Sequence, residues 1–151
     1  MKKNHTLFAI GMITACLLSA FPLFGQDSGG YETVSEEKLR EVLADVKTWT
    51  AEAIEFRNNA KNLEPKELVA QANAIRKKFD PVMVLMATTE PPEDIQLAAT
   101  MLLMSAKGTE LSLWHYILAT VANAANALEH GDALLQTAIS QLNDAEKLFT
   151  R

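Results

Sequence analysis

Apolar residues fall at Leu39, Val42, Val46, Trp49, Ala53, Phe56, Ala60 and Leu63, in steps that alternate three and four without a miss. A 3.5-residue repeat does not fit the two-residue alternation of a strand, and on a helix it draws one continuous stripe. Such a stripe packs against near-antiparallel neighbours at a shallow angle, as in helical bundles. This spacing constrains the chain to helix-on-helix packing. Ser35 is placed as an N-cap, and Glu36 and Glu37 follow where the helix dipole favours negative charge, so the first helix is predicted over Ser35–Asn62.

The pattern repeats downstream. Leu68, Ala72, Ile75, Phe79, Val82 and Met86 step by four and three behind Pro65, which suits a first helical position. This predicts a second helix over Pro65–Ala87, with a kink or break at Asp80 imposed by Pro81, which has no N–H to give the helix. Pro91 and Pro92 end it. A third helix is expected over Pro92–Glu129, where Lys107 and Glu110 are the only Lys, Arg, Asp or Glu from Ile95 to Leu128. A helix apolar on all sides reads as central and buried. Its length predicts a split at Gly108, read as a C-cap with Thr109 as the following N-cap. His130-Gly131-Asp132 reads as the last turn, with the final helix over Asp132–Phe149 and its stripe on Leu135, Ala138, Leu142, Ala145 and Phe149. The fold class expected is all-α: an up-and-down bundle of four main helices, the third split at Gly108.

The N-terminus carries a different signal. Lys2 and Lys3 precede an apolar run from Leu7 to Phe24, closed by Gly25 and then Gln26-Asp27-Ser28-Gly29-Gly30. A charged start, an apolar stretch and a small residue before a polar segment is the order of a secretory signal. The domain organisation expected is a signal over 1–25, a flexible tether over 26–34 and a bundle over 35–150. Two other readings stay open. Ile13-Thr14-Ala15-Cys16 resembles the bacterial lipobox, in which a small residue precedes an acylated cysteine, although Leu17-Leu18-Ser19-Ala20-Phe21 stays apolar where lipoproteins turn polar. The run of 18 residues also sits at the short end of what spans a bilayer. Export to the periplasm or beyond is expected, with membrane anchoring only if Cys16 is lipidated and no membrane span in the mature form.

Composition excludes several functions. Cys16 is the only cysteine, so a chain cut after Gly25 has no disulfide, thiol nucleophile or Cys-ligated metal. Losing Lys2 and Lys3 leaves 12 basic against 19 acidic residues, net −7, and the one basic cluster is Arg76-Lys77-Lys78. Nucleic-acid binding needs the opposite balance.

Candidate chemistry is sparse. His115 lies in the most apolar helix, and Met83 with Met86 and Met101 with Met104 are i, i+3 pairs on helix faces. Methionine and histidine together suit haem or a soft metal such as Cu(I). Four-helix b-type cytochromes use one of each in a bundle of similar size; the resemblance is architectural, because their His lies in the last helix and their Met near the start of the first. No Glu-x-x-His occurs for a di-metal bundle. No strand–turn–helix context presents a serine nucleophile. Trp49, Trp114 and Tyr116 read as buried anchors; any of them left exposed becomes a contact residue. No enzyme, cofactor or metal is expected. The sequence points to a non-catalytic exported bundle acting through an unidentified protein partner or as a scaffold. The alternative is a carrier of a small apolar ligand, haem or soft metal, with cofactor-binding candidates His115, Met83, Met86, Met101 and Met104.

Overall fold

Ser35 opens the first helix as its spacing predicts: its side-chain oxygen accepts the backbone N–H of Lys38 at 3.2 Å. Helix α1 runs Glu36–Asn59 and tightens into a 3-10 turn at Ala60–Asn62. In this computed structural model, which describes residues 32–124 and 126–150, the other helices are α2 (Pro65–Lys78), α3 (Asp80–Thr88), α4 (Gln96–Val121) and α5 (Ala127–Phe149). Helices α2 and α3 form one bent leg, so four legs pack together. The all-α bundle expected from the periodicity is what the chain forms. The signal reading and residues 26–31 of the expected tether lie outside the described residues.

The bend in the second leg falls at Phe79, next to the predicted kink. Phe79 keeps helical dihedrals (φ −81°, ψ −17°), and its carbonyl accepts the N–H groups of Val82 and Met83. Pro81 can donate no such bond, so the helical run is interrupted there. The Phe79 ring is fully buried and meets Trp49 of α1 edge-on at 5.4 Å, which fixes the bend against the core.

The core has two apolar clusters separated by a polar layer. The first gathers Leu39, Val42 and Val46 of α1, Val82 and Met86 of α3, Ala98 and Leu102 of α4, and Leu142 and Phe149 of α5. The second gathers Phe56 of α1, Leu68 and Ala72 of α2, Leu113, Tyr116 and Ile117 of α4, and Leu135 of α5. The start of α1 thus meets the end of α5, and its end meets the start of α2, as alternating up-and-down legs require. Between the clusters lie buried Thr50, Ser105, Thr109 and Ser112. Thr50 and Thr109 share a hydrogen bond at 3.4 Å, Ser112 donates to the Thr109 carbonyl, and Ser105 Oγ has no partner.

Three sequence expectations are corrected. Helix α4 is continuous through Gly108. A Cβ at Gly108 would stand 3.1 Å from Ala138 Cβ, so this glycine lets α4 and α5 approach closely. Gly131 is no turn either: it is helical, and a Cβ there would meet Tyr116 Cε1 at 2.7 Å. The chain reverses instead between Val121 and Ala127, where Asn123 takes φ +47°, a left-handed conformation that asparagine tolerates better than most residues. Finally, the segment read as tether is structured at its end. Glu32–Thr33 (β1) pairs in parallel with Thr89–Glu90 (β2), Val34 N–H donates to the Glu90 carbonyl at 3.1 Å, and Val34 is buried. Two-residue strands leave no periodicity to detect.

Candidate functional site

Helix α4 determines most of what this bundle presents. It touches every other leg, yet a four-legged bundle has no central position, so one side of α4 still faces out. That side carries Leu97, Thr100, Met104, Lys107, Leu111, Trp114, Leu118 and Val121, spaced three and four residues apart throughout. Leu97 is 58 % exposed, Trp114 41 %, Leu118 44 % and Val121 67 %. Met104 and Leu111 are half-buried. The expectation that α4 is buried all round is therefore corrected: it has an apolar outer stripe as well as an apolar inner face. The four exposed side chains together present roughly 400 Å² of surface, within the range of the largest apolar patch on an ordinary monomer, which is often functional.

Lys107 is the one charged residue in the stripe, and it is engaged. Its Nζ donates to Glu110 Oε2 at 2.8 Å, and Arg76 Nη2 of α2 reaches Glu110 Oε1 at 3.2 Å. Burial pushes the Glu110 carboxyl up, and the hydrogen bonds and charges of Lys107 and Arg76 outweigh it, so the group titrates below the usual glutamate range. The Arg76 guanidinium also lies 4.0 Å over the Trp114 ring. Trp114 is thus held flat against the α2 edge rather than buried as an anchor, with the rest of the ring outward. Tyr116 is buried as expected, and Trp49 is half-buried at the core edge.

A second polar cluster joins α1, α4 and α5. Asp132 accepts Arg57 Nε on Oδ1 and Arg57 Nη2 on Oδ2, both at 2.7 Å, and Tyr116 Oη donates to Oδ1 at 2.9 Å. The Arg57 hydrogen bonds hold Asp132 below the usual carboxylate range against the opposing effect of burial, and the Tyr116 hydrogen bond adds to this. Burial, then the hydrogen bond to Asp132, pushes the Tyr116 phenol well above its ordinary value. A carboxylate tied by a two-pronged guanidinium and a phenol kept protonated are poor acid–base catalysts. The arrangement staples helices.

The residues singled out from sequence do not meet in one place. Met86 is buried in the first cluster, and Met83 and Met101 pack against its edge. Met104 is half-buried in the outer stripe. His115 lies 14 residues beyond Met101 on the same continuous helix, about 21 Å away at 1.5 Å per residue. It stands instead beside His130, ring centroids 5.8 Å apart, with Nδ1 buried and unpaired. Among the described residues no group of three or more His, Cys, Asp or Glu side chains could hold a metal ion. Among those residues no helix is long and apolar enough to cross a membrane.

Sequence reasoning missed the outer stripe. Its signal was present, because Leu97, Met104, Leu111 and Leu118 recur every seven residues. It was masked because the inner face of the same helix is equally apolar. Comparison with family models, curated proteins and solved structures finds no match to this chain.

Proposed function

We propose that this chain is a non-catalytic, exported helical-bundle protein of the bacterial envelope that works by protein–protein contact through the outer stripe of α4. The observation that carries the reading is the spacing: eight positions at 3.5-residue intervals along 26 residues of rigid helix, with one charge among them. A seam of this period is what a helix offers to another helix. Two features favour contact over catalysis. The carboxylates of Glu110 and Asp132 are tied to cations, and the polar layer of the core is closed off from solvent. Export rests on the order of charged, apolar and polar segments in residues 1–30.

The test is a photo-crosslinking amino acid placed at Leu97 or Leu118 in the native cell, with Gln136, an exposed position on α5, as the control. Discrete adducts in the envelope fraction from the stripe positions and none from the control are expected. A chain retained in the cytoplasm, or adducts that do not depend on position, would remove the proposal.

A further inference from the structure

The outer stripe of α4 is symmetric about its own midpoint. Its positions 97, 100, 104, 107, 111, 114, 118 and 121 are spaced 3, 4, 3, 4, 3, 4 and 3. Turned end for end about Thr109, the set maps onto itself: 97 onto 121, 100 onto 118, 104 onto 114, 107 onto 111. A stripe with this mapping can lie antiparallel against a second copy so that each position i faces position j and j faces i, the contact pattern of a two-fold interface. We infer that the stripe binds a second copy of this chain, α4 against α4 in antiparallel array. The inference rests on the contact function proposed above and names its partner.

Three observations favour this occupant. First, charge fixes the direction. A parallel pair in register would set Lys107 against Lys107 of the other copy in the middle of an apolar seam. The antiparallel pair sets each Lys107 beside Leu111 of its mate, where the Lys stem covers apolar surface while its ammonium stays on Glu110. Second, two of the four facing pairs are apolar on both sides. Met104 meets Trp114, and Leu97 meets Val121, so the exposed aliphatic groups at both ends and the half-covered indole are buried together. A partner rich in charge would leave its ions unpaired against this seam, whereas α4 itself carries no other Lys, Arg, Asp or Glu than Lys107 and Glu110. Third, the area suffices. The stripe runs about 36 Å along a helix about 10 Å across. Its corrugated contact buries about 1,000 Å² over both copies, the threshold for a specific association. At that size the dimer is weak, with Kd expected in the micromolar range.

Sedimentation equilibrium of the purified protein, from about one to several hundred micromolar, tests this. Mass rising from one copy to two is expected. Leu118→Lys, an exposed substitution that suits the C-terminal end of α4, is expected to weaken the dimer at least tenfold with the helical circular dichroism unchanged. In the antiparallel pairing position 118 faces position 100, so Thr100→Glu combined with Leu118→Lys restores association through two symmetric ion pairs. In a parallel pairing 118 faces 118, and the double variant stays apart. A dimer that Leu118→Lys leaves intact, or that the double variant fails to restore, overturns the pairing.

A monomer at every concentration overturns the second copy as occupant, and Trp114 fluorescence in a Trp49→Phe background then decides the wider reading. Trp114 quenched freely by acrylamide, with an apolar dye bound unless Leu118 is Lys, leaves a docking face for another protein. A shielded Trp114 in the monomer means the chain covers its own stripe, and the contact function falls with the dimer.

Discussion

Gly131 offers the sharpest test of how α4 and α5 fit. It is helical and buried, and alanine in its place gains about 1 kcal/mol of helix propensity. The new Cβ, however, would stand 2.7 Å from Tyr116 Cε1, 3.0 Å from Cδ1 and 3.2 Å from His115 Cβ. Carbon atoms prefer about 3.5–4.0 Å, so the overlap approaches 1 Å. The ring cannot step aside cheaply. It is 2 % exposed, packs on Phe56 at 6.3 Å, and is tethered by its hydroxyl to Asp132. Overpacking of this kind costs about 2–3 kcal/mol, leaving a net loss of about 1–2 kcal/mol for Gly131→Ala. Thermal unfolding followed by circular dichroism should show a midpoint about 4–8 °C lower. Tyr116→Leu removes the obstructing ring edge, so in that background the same alanine should cost much less or stabilise, the difference measuring the coupling. If Gly131→Ala stabilises the otherwise native protein, or costs the same with and without the Tyr116 ring, the close-approach account is wrong.

Other perturbations have equally definite outcomes. Ser105→Ala removes a buried hydroxyl that has no partner and should raise stability by about 1 kcal/mol in urea titration, whereas loss of stability would mean the hydroxyl is satisfied. Asp132→Asn breaks the Arg57 fork and should cost about 1 kcal/mol near neutral pH, a figure reduced for solvent screening of a pair more than one-third exposed. Because the Asp132 carboxyl is held below its ordinary value of 3.8, its stabilisation is present above that pH and lost as pH falls through the lower folded value; the variant should lose this part of the acid limb. Burial, and then the charge of His130, hold His115 below the ordinary histidine value of 6.5, so the unfolded chain binds the proton first. Stability should be complete above that value and decline as pH falls below it, and His115→Phe should flatten this decline in the urea midpoint.

Helix-forming stretches and their inner faces were legible in the linear chain, since burial on one side of a helix writes a period of 3.5 or 3.6 into the residues. Leu39, Val46, Phe56, Leu68, Leu135, Leu142 and Phe149 are all buried where that period put them. Ser35 and Pro65 open their helices as local capping rules require, and Pro81 bends its leg, because these effects act within one turn of backbone. Glycine was misread for the complementary reason. A cap and a close helix–helix contact both select a residue without Cβ, and only the neighbour across the gap tells them apart: Ala138 for Gly108, Tyr116 for Gly131. The Arg57–Asp132–Tyr116 and Arg76–Glu110–Lys107 clusters join residues up to 75 positions apart, a pairing that no local pattern encodes. The division of α4 into an inner and an outer apolar face was likewise decided by packing. Its sequence is apolar on both sides, and the positions of the other legs leave Leu97, Trp114, Leu118 and Val121 in solvent.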